Sequence, residues 1–314
     1  MGARAGTCGV CPVIAGPTAV GKTALTVSLA RRHPIEIVSL DSRQIYRGLR
    51  IGTAQPTAEE RAACPHHLVD FLSPRELYSA QLFREDFCRA VDDIRSRGRL
   101  PLLVGGAGLY LTAVRDGFFA VPRTAPHLTG VRADLDALDD AAVRERLRRV
   151  DAASFARIHP HDRYRSQRAL EIHRLTGRTM TEIMSAREAD PALGLSFPLV
   201  LLDRERSALR SRIAARTAGM LSAGWLEETR ELLGEFGPDA PGLRTLGYHD
   251  LVLHLVGDRS LPDTRERIVA STARYAKRQR TWFRAQTREA YGDPDDPRLL
   301  EAIEALLRRA VAKG

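Results

Sequence analysis

The apolar positions of the chain follow two different periods, and their alternation predicts an α/β fold. Short, almost continuous apolar runs are typical of strands that are buried on both faces of a parallel sheet. Longer segments repeat their apolar residues every three or four positions, which indicates helices that pack one face against a core. The runs of strand type lie at residues 12–15, 35–40, 67–71, 101–104 and 197–203. We therefore expect an α/β domain with a mainly parallel sheet flanked by helices.

The pattern changes in the middle of the chain. Between residues 122 and 197 we find no run of strand type, whereas helical period continues with many arginines. Helices are predicted at residues 24–32, 80–97, 135–150, 152–158, 164–176, 179–187, 206–221, 226–233, 264–287 and 299–314. Because runs of strand type stand on both sides of it, the middle stretch predicts a helical insertion. The predicted organisation is a flexible tail at 1–10, a core domain in two parts at 11–121 and 198–314, and a helical insertion domain at 122–197.

A glycine-bearing loop joins the first strand to the first helix. Its residues are Gly16, Pro17, Thr18, Ala19, Val20, Gly21, Lys22 and Thr23, which match the pattern G-x-x-x-x-G-K-[ST] without a mismatch. The glycines let successive N–H groups face one anion, and the helix N-terminus adds a partial positive charge. Lys22 offers a mobile charge to a terminal phosphate, and Thr23 offers a hydroxyl to Mg²⁺. The loop predicts a P-loop NTPase-like core that binds a phosphorylated ligand, and it leaves the ligand and the reaction open.

A second group of residues is expected at the same crevice. In an open parallel sheet the ligand lies at the carboxyl ends of the strands. Asp41 follows the run at 35–40, and the glycine-rich segment 105–108 follows the run at 101–104. If the first two strands are neighbours, Asp41 lies beside the phosphate loop. The glycines permit a close approach of the backbone to a ligand.

Composition and charge narrow the class of protein. The chain has 314 residues, 44% hydrophobic and 28% charged, which is typical of a soluble globular protein. No apolar run approaches the roughly 20 residues of a membrane helix, and the first residues lack the apolar segment of a signal peptide. Cys8 and Cys11 have C-x-x-C spacing, but Cys64 and Cys88 supply no second pair, so reduced thiols in a cytoplasmic protein are favoured over a zinc site. The net charge of +9, almost all from arginine, is compatible with a polyanionic partner and equally with an arginine-rich surface.

With these motifs in view, the chain resembles a known family, the tRNA dimethylallyltransferases, over nearly its whole length. Six ordered motifs carry the resemblance. They are the phosphate loop, Asp41-Ser42-Arg43-Gln44-Ile45-Tyr46 with Ile51-Gly52-Thr53-Ala54, Pro65-His66-His67-Leu68-Val69-Asp70, Leu103-Val104-Gly105-Gly106, Arg165-Ser166-Gln167-Arg168-Ala169-Leu170-Glu171, and Gly247-Tyr248 with Ala276-Lys277-Arg278-Gln279-Arg280-Thr281-Trp282. The resemblance implies transfer of a dimethylallyl group from dimethylallyl diphosphate to N6 of adenosine 37 in the anticodon loop of tRNAs that read codons beginning with U.

The expected chemistry assigns a role to each residue of the crevice. The exocyclic amine of adenine is a poor nucleophile, because its lone pair is delocalised into the ring. It becomes effective when a carboxylate accepts its proton as the new bond forms, and we expect Asp41 to be that carboxylate. Lys22, the loop N–H groups and Mg²⁺ held through Thr23 would offset the charge on the leaving diphosphate. The resemblance also implies that Arg216 reaches the diphosphate and that Thr18 lies near the reaction centre. The alternatives are a capping or Mg²⁺-binding role for Asp41 and a surface position for Arg216.

The resemblance also implies a set of tRNA contacts. The residues at matching positions are Asp41, Ser42, Arg43, Gln44, Ala107, Arg165, Arg168, Arg244, Gly247, Tyr248 and His249. A target base must leave the loop stack before its amine can enter a closed site. The insertion domain is then expected to hold the anticodon stem-loop through arginine–phosphate contacts, which position without specifying. For the basic helix at 264–287 a solvated face is an equal alternative, and Trp282 and Phe283 are core anchors or base-stacking residues.

Two positions depart from the family pattern, and two other classes of function stay open. Gln55 stands where the family commonly has lysine, and Ala107 stands where it has a threonine associated with substrate contact. The second departure removes a hydroxyl near the reacting centre, so a lower rate is expected rather than another reaction. The alternatives are a nucleotide or small-molecule kinase with the same loop, and a non-catalytic RNA-binding module. We expect a monomer.

Overall fold

The computed structural model describes residues 9–117, 128–186 and 191–312, and the chain divides into two compact units. The core unit comprises residues 1–117 and 190–314, and the insertion unit comprises residues 118–189. The predicted insertion therefore extends too far at its C-terminal end. Ala192 and Leu195 are buried in the main core cluster, so residues 191–197 belong to the core unit. Of the predicted tail, residues 1–8 lie outside the described residues, and Val10 forms a parallel bridge to Ser196.

The core unit is built on one sheet whose described strands are all parallel. The strands are β1 (Val13–Ala15), β2 (Ile35–Leu40), β3 (His66–His67), β4 (Leu100–Gly105), β5 (Leu199–Leu202) and β6 (Ala290–Gly292), in the order β3-β2-β4-β1-β5-β6. This arrangement confirms the predicted fold class. The predicted strand at 67–71 is wrong in extent, because Leu68 and Asp70 adopt left-handed backbone angles that end the pairing. None of the three residues of strand β6 is buried, and the strand therefore lacks the apolar run by which the others were found.

Helices cover both faces of the sheet. As a result, β1, β2, β4 and β5 are buried along their whole length. The core-unit helices are α1 (Lys22–Ala30), α2 (Ala58–Ala63), α3 (Ala80–Ser96), α4 (Gly108–Asp116), α10 (Arg206–Ser222), α11 (Trp225–Phe236), α12 (Tyr248–Leu255), α13 (Leu261–Arg284) and α14 (Pro297–Val311). One apolar cluster joins the sheet to α3 and α4, with Phe283 of α13 at its edge. A second cluster joins the other face to α1 and α14.

A third apolar cluster lies away from the sheet. It joins the segment after β2 to α11 and α12 through Ile45, Leu49, Trp225 and Tyr248. The predicted loop at 242–248 holds a 3₁₀ turn at Pro241–Arg244, and α12 then begins at Tyr248. No helix among the described residues is long and apolar enough to cross a membrane.

The insertion unit is a bundle of short helices with its own core. The helices are α5 (Leu128–Asp136), α6 (Asp140–Val150), α7 (Ala152–Arg157), α8 (Arg163–Thr176) and α9 (Met180–Ser185). Its core includes Leu147 and Leu170. The predicted single helix at 135–150 is two helices, because the Asp139 side chain accepts a hydrogen bond from the Ala142 N–H and so starts a new one. Within the described part of this unit there is no strand, as predicted.

Candidate active site

The phosphate loop leaves β1 at the sheet edge and starts α1. Gly21, with φ of 115°, is the N-cap of α1, and Ala19 also has a left-handed φ of 64°. At Gly16 a Cβ atom would lie 2.6 Å from the Leu202 carbonyl oxygen, so a glycine is required there. The first N–H groups of a helix have no carbonyl partner within it. The loop therefore offers backbone donors and a helix N-terminus to an anion.

Lys22 places its positive charge directly over this loop. Its Nζ donates to the carbonyl oxygens of Gly16 and Pro17, at 2.9 Å each. Burial lowers the pKa of Lys22 to about 8; the Asp41 carboxylate opposes this shift, and the Arg216 guanidinium adds to it. The lysine, the aspartate and the arginine thus act on one another electrostatically.

Asp41 lies in the same site, but the strand order that brings it there differs from the one considered in the sequence analysis. Strands β1 and β2 are not neighbours, because β4 lies between them, so the condition for placing Asp41 beside the phosphate loop is not met in that form. However, Gly105 is the register partner of both Ala15 and Leu40. The three strands therefore end side by side, and the residues that follow them lie together at the carboxyl ends of the sheet. Gly105 keeps these strand ends close, since a Cβ there would lie 2.1 Å from the Leu40 carbonyl oxygen.

A cavity of about 50 Å³ brings the predicted residues together. It is lined by Lys22, Thr23, Thr26, Ile37, Ser39, Asp41, Gln44, Pro56, His66, Val104 and Gly105. Lysine, threonine hydroxyl and carboxylate therefore face one small space. His66 was quoted only as part of a motif; it lies here because β3 pairs with β2, and burial lowers its pKa.

The Asp41 carboxylate is oriented by the turn that it begins. Its Oδ1 accepts hydrogen bonds from the Arg43 N–H at 2.8 Å and the Gln44 N–H at 3.4 Å. The Asp41 carboxylate also acts on two tyrosines. Burial raises the pKa of Tyr275 to about 12 and raises the pKa of Tyr110, and the negative charge of Asp41 adds to both shifts. The carboxylate is therefore fixed by backbone N–H groups and surrounded by cations and buried hydroxyls.

Two arginines donate hydrogen bonds to the phosphate loop from the β5–α10 side, and a third, Arg216, interacts electrostatically with Lys22 and Asp41. Arg216 is partly buried; burial lowers its pKa, and the Asp41 carboxylate opposes that shift. Arg212 donates to the Ala19 carbonyl oxygen at 2.8 Å, and Arg204 donates to the Val20 carbonyl oxygen at 2.9 Å. Sequence reasoning missed Arg204 and Arg212, because nothing distinguishes them among so many arginines.

The segment after Asp41 is held by two glutamine side chains. The Gln44 amide accepts from the Ser39 hydroxyl at 3.0 Å and donates to the Ala54 carbonyl oxygen at 2.7 Å. Gln55 is buried and donates to the carbonyl oxygens of Gln44 and Tyr46, at 2.9 and 2.8 Å. The glutamine that replaces the common lysine therefore has a structural role. Ser42 and Arg43, of the same predicted contact set, are partly exposed.

The second predicted contact segment of the core unit divides into exposed and buried residues. Arg244 and His249 are exposed. The prediction of a direct contact is wrong for the Tyr248 side chain, which is fully buried; its hydroxyl accepts from the Gly52 N–H and donates to Glu228. Gly247 is also buried, and a Cβ there would lie 2.3 Å from the Trp225 ring. These two residues shape the segment from inside.

The end of α13 is anchored in the core. Phe283 is fully buried, and Trp282 packs against the same cluster, with its ring 2.5 Å from where a Cβ on Gly108 would lie. Phe283 is therefore a core anchor, whereas Trp282 packs on the core and stays partly exposed. Ala107 is partly exposed and occupies the N-cap position of α4.

In the insertion unit the two predicted contact arginines differ. Arg165 keeps 74% of its side chain exposed, beside Asp162. Arg168 lies 2.8 Å from Glu171, whose side chain is 7% exposed and also pairs with Arg132. Arg168 is therefore engaged in the packing of the unit.

The described cysteines, Cys11, Cys64 and Cys88, are thiols. Cys11 is fully buried, and burial raises its pKa to about 12. Cys64 is also buried, and Cys8 lies outside the described residues. No group of three or more His, Cys, Asp or Glu side chains suited to a metal occurs in the described part of the chain.

The fold and the site define a P-loop protein whose sheet edge unites a phosphate loop with a fixed carboxylate. Two family models match the chain: "IPP transferase" over residues 44–286 and "Isopentenyl transferase" over residues 10–74. The chain is 43% identical over 311 residues to the tRNA dimethylallyltransferase of Paraburkholderia xenovorans, covering 94% of this chain and 97% of that one. It is 45% identical over 280 residues to that of Halorhodospira halophila, covering 87% and 89%. The chain belongs to the tRNA dimethylallyltransferase family.

Solved structures agree with this membership. The tRNA isopentenylpyrophosphate transferase of Bacillus halodurans superposes with a TM-score of 0.69 at 33% identity and covers 97% of both chains. A eukaryotic dimethylallyltransferase acting on tRNA superposes with a TM-score of 0.78 at 25% identity, covering 91% of this chain and 74% of that one.

Proposed function

We propose that this protein transfers the dimethylallyl group of dimethylallyl diphosphate to N6 of adenosine 37 in the anticodon loop of tRNA. Its relatives are named tRNA dimethylallyltransferases. The observation that carries the proposal is that Lys22, Thr23 and Asp41 line the same cavity. A kinase with the same loop would not require the Asp41 carboxylate and the other family motifs. A non-catalytic RNA-binding module would not require Lys22.

The donor diphosphate is assigned to the phosphate loop. Backbone N–H groups at the start of α1 and the charges of Lys22 and Arg216 would stabilise the anion as it leaves. Because these donors are fixed before the reaction, they need little reorganisation in the transition state. The bond between the allylic carbon and the diphosphate oxygen breaks as the adenine nitrogen bonds to that carbon.

Asp41 is assigned as the general base. Its Oδ1 is held by two backbone N–H groups, which leaves the other oxygen for the adenine amine. The carboxylate accepts the proton that the amine loses as the new C–N bond forms.

The same residues fit a bound Mg²⁺. This ion commonly takes only one or two protein ligands and completes its shell with phosphate oxygens and water. The exposed Thr23 hydroxyl, at the mouth of the phosphate loop, would hold it. When bound, Mg²⁺ would neutralise charge on the diphosphate.

The RNA partner is assigned to basic surfaces of each unit. In the core unit a groove of about 1040 Å³ lies between α10 and α13. Its described charged lining comprises Arg206, Arg210, Asp250, Arg265, Glu266, Arg267, Arg274, Lys277, Arg280 and Arg284. In the insertion unit, exposed Arg165 stands next to Tyr164, which is 78% exposed. Cations suit phosphates, and an exposed aromatic ring suits an unstacked base.

The test is direct. Purified protein is incubated with Mg²⁺, dimethylallyl diphosphate and an unmodified tRNA that has adenosine at position 37, and the nucleosides are analysed by mass spectrometry. We expect N6-dimethylallyladenosine, and none from a tRNA with guanosine at position 37. Transfer of phosphate from ATP to a small molecule, without prenylated nucleoside, would refute the proposal.

A further inference from the structure

Gln279 connects two loops of the site through one side chain. It lies on α13 and is 7% exposed. Its Oε1 accepts from the backbone N–H of Thr18, in the phosphate loop, at 2.9 Å. Its Nε2 donates to the carbonyl oxygen of Gly106, in the β4–α4 loop, at 3.0 Å. One amide therefore uses its acceptor on one loop and its donor on the other.

The surroundings hold this amide in place. A Cβ on Gly106 would lie 2.2 Å from the Gln279 Nε2, so the glycine makes room for it. The helix that carries Gln279 is itself tied to the sheet, because Arg280 and Arg284 both pair with the buried carboxylate of Asp203 at the end of β5. The Gln279 amide is hydrogen-bonded at both its oxygen and its nitrogen and sits on an anchored helix, so it restrains the distance between the two loops.

The residues on either side of this bridge belong to opposite halves of the reaction. Thr18 is part of the loop assigned to the diphosphate. Gly106 precedes Ala107, and both backbone N–H groups donate to the Leu40 carbonyl oxygen, one residue before Asp41. The bridge therefore spans from the donor loop to the strand ends that carry the base.

We propose that Gln279 is a positioning residue that sets the separation between the donor diphosphate and the acceptor amine. This inference rests on the proposed function. Without the amide, the Thr18 N–H and the buried Gly106 carbonyl lose their partner, and the two loops are free to shift. A misplacement of about 1 Å costs on the order of 10²-fold in rate. RNA affinity should change little, because the Gln279 side chain is buried against the two loops and does not line the groove assigned to RNA.

The inference is tested with a double-mutant cycle. The variants are Gln279→Ala, Gly106→Ala and the double variant. Gly106→Ala displaces the Gln279 amide, and alanine at 279 leaves space for the new methyl group. We expect each single variant to lower kcat by about 10- to 100-fold. The double variant should have a kcat no lower than that of the more impaired single variant, because both changes remove the same interaction. Affinity for an anticodon stem-loop RNA should stay within about twofold of wild type.

Two further measurements separate positioning from loss of stability and from failure of the proposed function. Thr229→Val removes a buried hydrogen bond from α11, outside the site, and serves as the stability control. Binding of inorganic diphosphate is measured by calorimetry in all variants; we expect Gln279→Ala to weaken it at least about threefold, since the loop loses its brace. Equal kcat loss in Thr229→Val, or additive losses in the cycle, would overturn the inference. If the wild type transfers no prenyl group, the proposed function fails, and unchanged diphosphate affinity in Gln279→Ala would still reject the brace.

Discussion

Arg168 and Glu171 form an ion pair of 2.8 Å across one turn of α8, and the carboxylate partner is buried. Removal of Arg168 would leave a buried carboxylate with one partner fewer, which costs stability whatever the arginine does for RNA. A test of RNA binding by the insertion unit must therefore use Arg165, which is exposed.

We expect Arg165→Gln to weaken binding of an anticodon stem-loop RNA. Each lost phosphate contact also makes the plot of log K against log salt shallower by about 0.7–0.9. The matched control is Arg149→Gln, since Arg149 is 72% exposed, lies in the same unit and is likewise paired with a nearby carboxylate. Parallel salt plots for wild type and Arg165→Gln would show that this arginine touches no phosphate. Donor affinity should not change in either variant.

Asp41→Asn should lower the transfer rate by about 10² to 10⁴-fold, the range for loss of a positioned general base. Asparagine keeps the Oδ1 that accepts from the Arg43 and Gln44 N–H groups, so the turn and RNA affinity should persist. Asp41→Ala removes the turn as well and should also weaken RNA binding. Single-turnover rates and RNA affinity are measured for both. An asparagine variant with more than about a tenth of the wild-type rate would exclude Asp41 as the base.

Lys22→Ala should weaken donor binding by about 10- to 100-fold, because a hydrogen bond to a charged group is worth about 1.5–3 kcal/mol. RNA affinity should be nearly unchanged, since Nζ lies over the phosphate loop. Lys277→Ala, in the α10–α13 groove, is the matched control and should give the reverse pattern. Calorimetry with inorganic diphosphate and with RNA decides between them; a Lys22 variant that loses RNA and keeps diphosphate would place the loop on the RNA.

Ala107→Thr should raise both stability and rate. Ala107 is the N-cap of α4 and makes no side-chain cap hydrogen bond, and a threonine cap is worth about 0.5–2 kcal/mol. The hydroxyl would also restore a polar group at the position where the family commonly has threonine. Unfolding midpoint and kcat are compared with those of Ala107→Val, which has the same branching without the hydroxyl. Equal behaviour of the two variants would contradict the role of the hydroxyl.

Glu36 should make stability depend on pH. Burial acts to raise the pKa of Glu36, but hydrogen bonds from Arg97 and His67, at 2.7 Å each, outweigh it and hold the pKa below its ordinary value of 4.5. A depressed carboxyl pKa stabilises the fold above pH 4.5, and this contribution is lost as the pH falls through the folded-state pKa. Glu36→Gln should therefore unfold more easily at neutral pH, with a gap to wild type that narrows on acidification. Urea titrations between pH 7 and acid give the gap; a constant gap would contradict the assignment.

The sequence by itself determined the local elements, the phosphate loop and the family. Buried strands and amphipathic helices have periods that can be read along the chain, and the phosphate loop is a contiguous motif whose function depends on its own backbone. The strand errors fall on short elements, because their few residues carry little pattern: the prediction for β3 is wrong in extent, and β6 is missing from the predicted strands.

The tertiary structure decided what depends on contacts between distant segments. The placement of β4 between β1 and β2, the burial of Tyr248 and the pairing of Arg168 with Glu171 all arise from packing. Gln279 and Thr18 are 261 residues apart in sequence, and a glutamine on a basic helix carries no sign of its partner. Hydrophobic patterning specifies which residues are buried; it does not specify which buried polar groups meet, because those pairings are set by the geometry of the assembled sheet and helices.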